Sequence, residues 1–330
     1  MSNPWIIDES DFYELETHHE QMEFLLRYAI LAPSGHNTQP WSFRIRTDGV
    51  DVIADYSRRL QIVDRNDREL LMSIGAAITN FRVAAAHFGF DTTVAYESRM
   101  LESVPVATIL ACETCGPDRE LAALFPAIRK RHTNREPYDG QPLDPTVLRA
   151  VCDVIDANPA TLQLILPRDT QRVADFLESA ERALMERPAY REELAACVGP
   201  DAFPAEALGM PRVFAGIAPW LIRNFDSGEL RARRVTELTR SASMLLVVTA
   251  DEDRVALLKA GEVLEKLLLT ITACGLQYSF LNAAVEVEDT RARLQMLIGG
   301  PRLPQILLRI GAAAVPAHPT SRRPVEAVIV

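Results

Sequence analysis

Residues 75–90, GAAITNFRVAAAHFGF, and residues 261–276, GEVLEKLLLTITACGL, decide the fold of this chain. In each, apolar residues recur at helical spacing. In each, two glycines stand 14 apart, Gly75 with Gly89 and Gly261 with Gly275. A polar stretch follows each segment, then a strand-like run, residues 106–112 or 305–310. Self-similarity on this scale implies a duplicated structural unit. The surrounding order agrees. The first unit reads as an amphipathic helix at 20–31 that stops before Pro33, then strands at 42–46 and 50–56. Asp48-Gly49 between those strands is a hairpin signal. A long helix at 67–88 and strands at 91–95 and 104–112 complete it. The second unit reads as a helix at 144–155, capped by Asp144 with Pro145 in its first position. A strand at 161–166, a helix at 170–185, a strand at 243–249, the long helix at 253–274 and the strand at 305–310 follow. The expected fold is α+β, with two related domains at 1–120 and 121–330, each a mostly antiparallel sheet flanked by helices.

Bulk properties narrow the function. The chain has 330 residues, 48% hydrophobic and 24% charged, enough for a core that encloses a cofactor. A net charge of −10 argues against nucleic acid or an anionic membrane surface as partner. Five cysteines are an odd number, so this is no disulfide scaffold. No run reaches the roughly 18 apolar residues of a membrane span, and residues 1–11 carry acids rather than an export signal. A cytoplasmic protein is expected. Gly-x-Ser-x-Gly and Gly-x-Gly-x-x-Gly are both missing, which removes a hydrolase elbow and a Rossmann-type nicotinamide domain. Cys112-x-x-Cys115 has no second pair nearby and reads as two ordinary thiols. His18-His19 reads as a solvated face, and no metal site is expected.

The two units differ where chemistry could sit. Only the first carries the loop Pro33-Ser34-Gly35-His36-Asn37-Thr38-Gln39-Pro40. Prolines fix its ends, Gly35 permits close backbone approach, and Ser34, Asn37 and Gln39 supply donors and acceptors. Only the second carries the basic run Arg129 to Arg135, with four fixed cations in seven residues. Forked guanidinium donors and the Thr133 hydroxyl suit a phosphate, although a solvated turn has the same composition. Arg322-Arg323 is a second basic site near the C-terminus. Residues 188–234 have no partner in the first unit. Their apolar residues, Phe203, Met210, Phe214, Trp220 and Phe225, and their prolines, Pro200, Pro204, Pro211 and Pro219, fit a flap over a pocket or ordinary packing between domains.

These motifs carry a family resemblance. AILAPSGHNTQPWSFRI, residues 29–45, resembles the flavin-contacting signature of the FMN-dependent nitroreductases, and RHTNREPYDG, residues 131–140, resembles that family's phosphate-gripping signature. In ordinary members the basic signature comes first and two subunits share each flavin. Here the order is inverted and each half keeps one signature, as in the tandem-domain, Acg-like subgroup, which residues 56–86 also resemble. The resemblance implies two fused nitroreductase-like domains forming a pseudo-dimer with one FMN, so a monomer is compatible with it. It places Arg131, His132 and Thr133 at the phosphate and ribityl chain, and Arg135 at the flavin pyrimidine. Pro33, Ser34, Gly35 and Asn37 become the contacts from the other domain, with the Asn282 amide near flavin N5. Arg322 or Arg323 would hold the phosphate. The implied activity is hydride transfer from NAD(P)H through the flavin to a small aromatic acceptor, a nitroaromatic or quinone, with no catalytic side chain. The alternative is an FMN-binding or sequestering protein with an occluded site and little turnover.

Overall fold

Two 20-residue helices, α2 (Arg68–His87) and α10 (Arg254–Ala273), form the central seam of the molecule. In the computed structural model, residues 3–99, 104–113, 116–154, 160–199, 210 and 212–330 are described. Cys115, Ile155, Pro200, Phe203, Pro204 and Pro211 lie outside them. The two helices meet at Gly75 and Gly261. A Cβ on Gly75 would lie 2.0 Å from the Leu258 carbonyl oxygen, and one on Gly261 would lie 2.1 Å from the Met72 carbonyl oxygen. Only glycine allows backbones to approach so closely. Adding 186 to a residue number carries Met72 onto Leu258, Gly75 onto Gly261 and Gly89 onto Gly275. The two contacts are therefore one contact made twice about an internal two-fold axis, the geometry of an isologous dimer interface.

The first half contains α1 (His18–Ala29), β1 (Trp41–Arg46), β2 (Gly49–Ala54), α2, β3 (Phe90–Tyr96) and β4 (Ala107–Glu113). Thr17 starts α1 with a capping box, its hydroxyl accepting from Glu20 N–H while the Glu20 carboxylate takes the Thr17 N–H. Short helices α3 (Arg119–Ala122) and α4 (Phe125–Ile128) lead to the second half. That half holds α5 (Pro145–Asp153), β5 (Ala160–Ile165), α6 (Thr170–Glu186), α7 (Pro188–Cys197), α8 (Ala218–Asn224) and α9 (Gly228–Arg240). It continues through β6 (Met244–Ala250), α10, β7 (Gln277–Phe280), α11 (Ala283–Glu286), α12 (Glu288–Ile298) and β8 (Leu303–Gly311). Strand order is β1-β2-β4-β3 in one sheet and β5-β6-β8-β7 in the other, and every pairing is antiparallel. The second order is the first, four strands later. The expected α+β architecture and internal duplication are both present.

Two local expectations need correction. The β1–β2 register pairs Arg46 with Gly49, so the hairpin loop is Thr47-Asp48, one residue earlier than the Asp48-Gly49 signal suggests. Gly49 instead opens β2 with φ 150°, where a Cβ would meet the Ile109 carbonyl oxygen at 1.9 Å. Its glycine serves close packing on β4. The strand expected to reach Tyr56 stops at Ala54, because Asp55 accepts from Ser57 N–H and starts a single 3₁₀ turn.

Each half also lends an edge to the other or to itself. Phe43 N–H donates to the Val328 carbonyl at 2.7 Å and Val330 N–H to the Phe43 carbonyl at 2.9 Å, so the C-terminal segment lies beside β1 of the first sheet. Asn134 N–H donates to the Tyr278 carbonyl at 2.9 Å, which fixes the basic segment along β7. The inserted helices form a second apolar cluster. Val173, Leu177, Tyr190, Leu194 and Val235 pack there with Leu60 and Val63 of the first half. Among the described residues no helix is long and apolar enough to cross a membrane.

Candidate functional site

A cavity of about 240 Å³ opens between the two halves. Pro33, Ser34, Gly35 and Asn37 line it from the loop after α1, and Arg131, His132, Thr133 and Arg135 from the basic segment. Asn282, which precedes α11, and Arg322, from the C-terminal segment, line it too. These ten sequence-selected residues, more than 280 positions apart at the extremes, thus share one space. Arg323 does not line it. Its guanidinium donates to the Ala327 carbonyl at 2.7 Å and the Gln39 carbonyl at 3.3 Å, and its N–H to Gln39 Oε1 at 2.8 Å. The choice left open between the two arginines falls on Arg322 as the cavity residue.

The loop from the first half is wound unusually. His36, Asn37 and Gln39 have φ of 46°, 58° and 51°. Left-handed backbone costs a non-glycine residue about 1–2 kcal/mol, and of these three only glutamine is not among the residues enriched there. Side chains from both halves hold the conformation. Asn37 Nδ2 donates to the Ser321 carbonyl at 3.0 Å, Arg322 Nη1 to Asn37 Oδ1 at 2.9 Å, and Gln39 N–H to Ser34 Oγ at 2.9 Å. Gly35 faces Glu69, whose Oε2 would lie 3.0 Å from an added Cβ.

One end of the cavity is cationic. Arg131 Nη2 and Arg322 Nη2 both donate to the Leu31 carbonyl, at 2.7 and 3.1 Å. Arg131 is 1% exposed, donates to the Tyr278 hydroxyl and pairs through Nε with Glu265 at 3.1 Å. With its amide oriented to satisfy both neighbours, Asn80 of α2 donates to Glu265 at 3.0 Å and accepts from Ala32 N–H at 3.2 Å. This network joins Arg131 to both halves. Arg322 Nη1 donates to Asn37, Thr320 and Ser321, but its buried Nε has neither a hydrogen bond nor an ion pair among the described residues. Burial, reinforced by repulsion from Arg131, lowers the Arg322 guanidinium to about 9. Burial also brings Arg135 down to about 10, still a cation at neutral pH. His132 falls to about 4 through burial and then the charges of Arg131, Arg322 and His318. Trp5 packs edge-on against His132 with ring centroids 4.5 Å apart, and its Nε1 donates to the Thr320 carbonyl at 2.8 Å. From below, Arg309 Nη2 donates to the Asn134 and Glu136 carbonyls at 3.0 and 2.9 Å, bracing the segment that presents Arg135.

The other end is acidic and covered. Glu69 of α2, Glu181 of α6 and Glu286 of α11 line it, with Tyr190 of α7 and Arg231 of α9. Arg231 Nε pairs with Glu181 at 2.6 Å. The insertion thus covers the cavity with α7 and α9, while Trp220 and Phe225 are 56% and 55% exposed on its outer side. Glu193 of α7 fastens the cover to the first half, its carboxylate accepting from Ile62 N–H at 2.8 Å and Val63 N–H at 3.0 Å. Sequence reading selected none of these acids. A lone glutamate in a helix looks like a solvated position, and only the break that Glu286 makes in the apolar run after Leu281 could have marked it.

No protein-family model matches the sequence. Two proteins of Mycobacterium tuberculosis (strain ATCC 25618 / H37Rv) are similar over nearly their whole lengths. The one named "Putative NAD(P)H nitroreductase Rv3131" is 28% identical over 326 residues, covering 94% of this chain and 91% of its own. The one named "Putative NAD(P)H nitroreductase acg" is 28% identical over 317 residues, covering 92% and 93%. Among solved structures, a protein from Anabaena variabilis described as a putative nitroreductase superposes with a TM-score of 0.52 at 11% identity, over 93% of this chain and 91% of its own. The duplicated α+β fold with one cavity at its seam is thus a nitroreductase-like fold. By sequence the chain is similar to proteins named as putative NAD(P)H nitroreductases, acg among them.

Proposed function

We propose that the chain is a cytoplasmic flavoprotein that holds one FMN between domains at 1–120 and 121–330, and passes electrons from NAD(P)H to a nitroaromatic or quinone-like acceptor. The single observation that carries this reading is the convergence of Arg131 and Arg322 on one carbonyl at the cationic end of a cavity that both halves build. The donor set fits the group. Arg322 offers a buried, unbonded Nε to a phosphate, with the hydroxyls of Ser34 and Thr320 lining the same cavity. Charge-assisted bonds of this kind contribute about 1.5–3 kcal/mol each. Arg135 remains cationic and would stabilise negative charge on a heterocycle edge. Bound FMN would supply two-electron chemistry. The chain's own residues bind, orient and exclude water, and the internal two-fold axis makes a monomer sufficient.

A second reading is supported by the cover. Tyr190 and Arg231 line the cavity from helices that the first half lacks, which favours a protein that retains FMN with little turnover. A visible spectrum of the purified protein, with its flavin-to-protein ratio, decides between them before and after NADPH is added. The reductase reading expects a yellow protein near one flavin per chain that bleaches. A yellow protein that neither NADPH nor NADH bleaches supports retention. A colourless protein that takes up no FMN refutes both.

A further inference from the structure

Glu286 ends the short helix α11, which follows Asn282, and its side chain lines the acidic end of the cavity. Two of the three carboxylates gathered there are already provided for. Glu69 accepts from Arg68 at 3.1 Å and from Asn282 Nδ2 at 3.2 Å, and Glu181 pairs with Arg231 at 2.6 Å. Among the described residues the Glu286 carboxyl has neither a hydrogen bond nor an ion pair. The groups that bear on it are Arg68 and Glu69 on α2, Glu181 on α6, Tyr190 on α7 and Arg231 on α9. Three carboxyls therefore share two guanidinium groups beneath α7 and α9. Of the three, the carboxyl without a partner is the one whose surroundings most favour the protonated form.

Resting on the reductase reading above, we propose that the Glu286 carboxyl is the acid that protonates the reduced acceptor. Reducing a quinone takes two electrons and two protons. NAD(P)H supplies two electrons and one proton as a hydride equivalent, so one proton is still owed. The Glu286 O–H bond breaks as the acceptor oxygen gains its O–H bond, and the carboxylate then takes a proton back from water. The sum is quinone plus NAD(P)H plus H⁺ giving hydroquinone plus NAD(P)⁺. Other groups in the cavity are poorly suited. His36 and His132 are both held at about 4, largely by burial, and so carry no proton to give at neutral pH. Arg131, Arg135, Arg322 and His318 belong to the basic segment and the C-terminal segment. Burial first, then Glu69 and Glu181, holds Glu286 well above the usual carboxylate range, while Arg68 and Arg231 oppose the shift.

Two measurements on the FMN-loaded full chain test this. With glutamate labelled by ¹³C at the carboxyl carbon, a resonance that stays protonated above pH 7 should be present and should vanish in Glu286→Gln. In stopped flow with NADPH and then 1,4-benzoquinone, Glu286→Gln should slow acceptor reduction about a hundredfold, the usual scale of general acid catalysis. Glu286→Asp should restore part of the rate and shift its pH limb. If Glu286→Gln fails to fold, the same two readouts on Glu286→Asp decide. Should no carboxyl protonated at pH 7 depend on Glu286, or should the acceptor step change less than threefold, the proposal is overturned. Wild-type protein that NADPH does not bleach overturns the reductase reading, and the transfer with it. Bleached protein whose acceptor step ignores Glu286 overturns the transfer alone.

Discussion

Replacing Gly75 with alanine tests the seam directly. The added Cβ would sit 2.0 Å from the Leu258 carbonyl oxygen, where ordinary contact begins at 3.4 Å. The obstacle is backbone of a buried helix, so α2 and α10 must separate by more than 1 Å. Overpacking of this kind costs about 1–3 kcal/mol, and a rigid neighbour puts the cost at the upper part of that range. Alanine returns roughly 0.5–1 kcal/mol through its better helix propensity. Gly75→Ala should therefore destabilise the chain by about 2 kcal/mol, and Gly261→Ala by a similar amount, because Met72 stands to it as Leu258 stands to Gly75. The double variant should cost less than the sum, since the first separation makes room for the second methyl. Urea unfolding followed by circular dichroism measures all three. Single variants within 0.5 kcal/mol of wild type, or strict additivity in the pair, would refute the close symmetric crossing.

Three further outcomes follow from the site. Arg322→Ala should weaken FMN binding by about 1.5–3 kcal/mol, or roughly ten- to a hundredfold. Arg323→Ala should have a smaller effect, and equal losses in fluorescence titrations would show that the two arginines were wrongly distinguished. Glu265 is pushed up to about 7, chiefly by burial, with Arg131 opposing. Its folded value lies above its unfolded value, so the folded state binds more protons between pH 4.5 and 7 and stability falls as pH rises through that window. The raised values of Glu69 and Glu262 act in the same direction, so Glu265→Gln should reduce the slope of urea midpoint against pH without abolishing it. Glu193→Ala leaves the Ile62 and Val63 N–H groups without their acceptor, which costs about 1–3 kcal/mol at the cover's fastening. Association of free FMN in stopped flow should accelerate severalfold, and an unchanged rate would mean that the cover does not limit access.

Much of this architecture could be read from the sequence for definite physical reasons. Gly75 and Gly261 announce the duplication because a backbone crossing that tight accepts no other residue. The Pro33–Pro40 loop and the Arg129–Arg135 segment stand out because local chemistry, two prolines in one and a run of cations in the other, is visible without the fold. What depends on direction was not legible. Arg322 and Arg323 are neighbours in sequence, and only the pairing of the C-terminal segment with β1 turns the first inward and the second toward Gln39 and Ala327. The left-handed turn at Gln39 was hidden because glutamine does not favour that conformation; contacts from Arg323 hold it. Strand β7 has four residues, too few for alternation to show. Glu181, Arg231 and Glu286 meet from three separate helices, and no local pattern brings them together.

The crossing of α2 on α10 is made within one polypeptide, and that changes how the cavity responds to dilution. Two separate chains facing each other through the same surfaces would drift apart below their dissociation constant, and the pocket would be lost with them. Covalent linkage keeps each half at an effective concentration of roughly millimolar around the other. The pocket should therefore persist in a solution of a few molecules as fully as in a concentrated one, and its occupancy should depend on the free ligand alone.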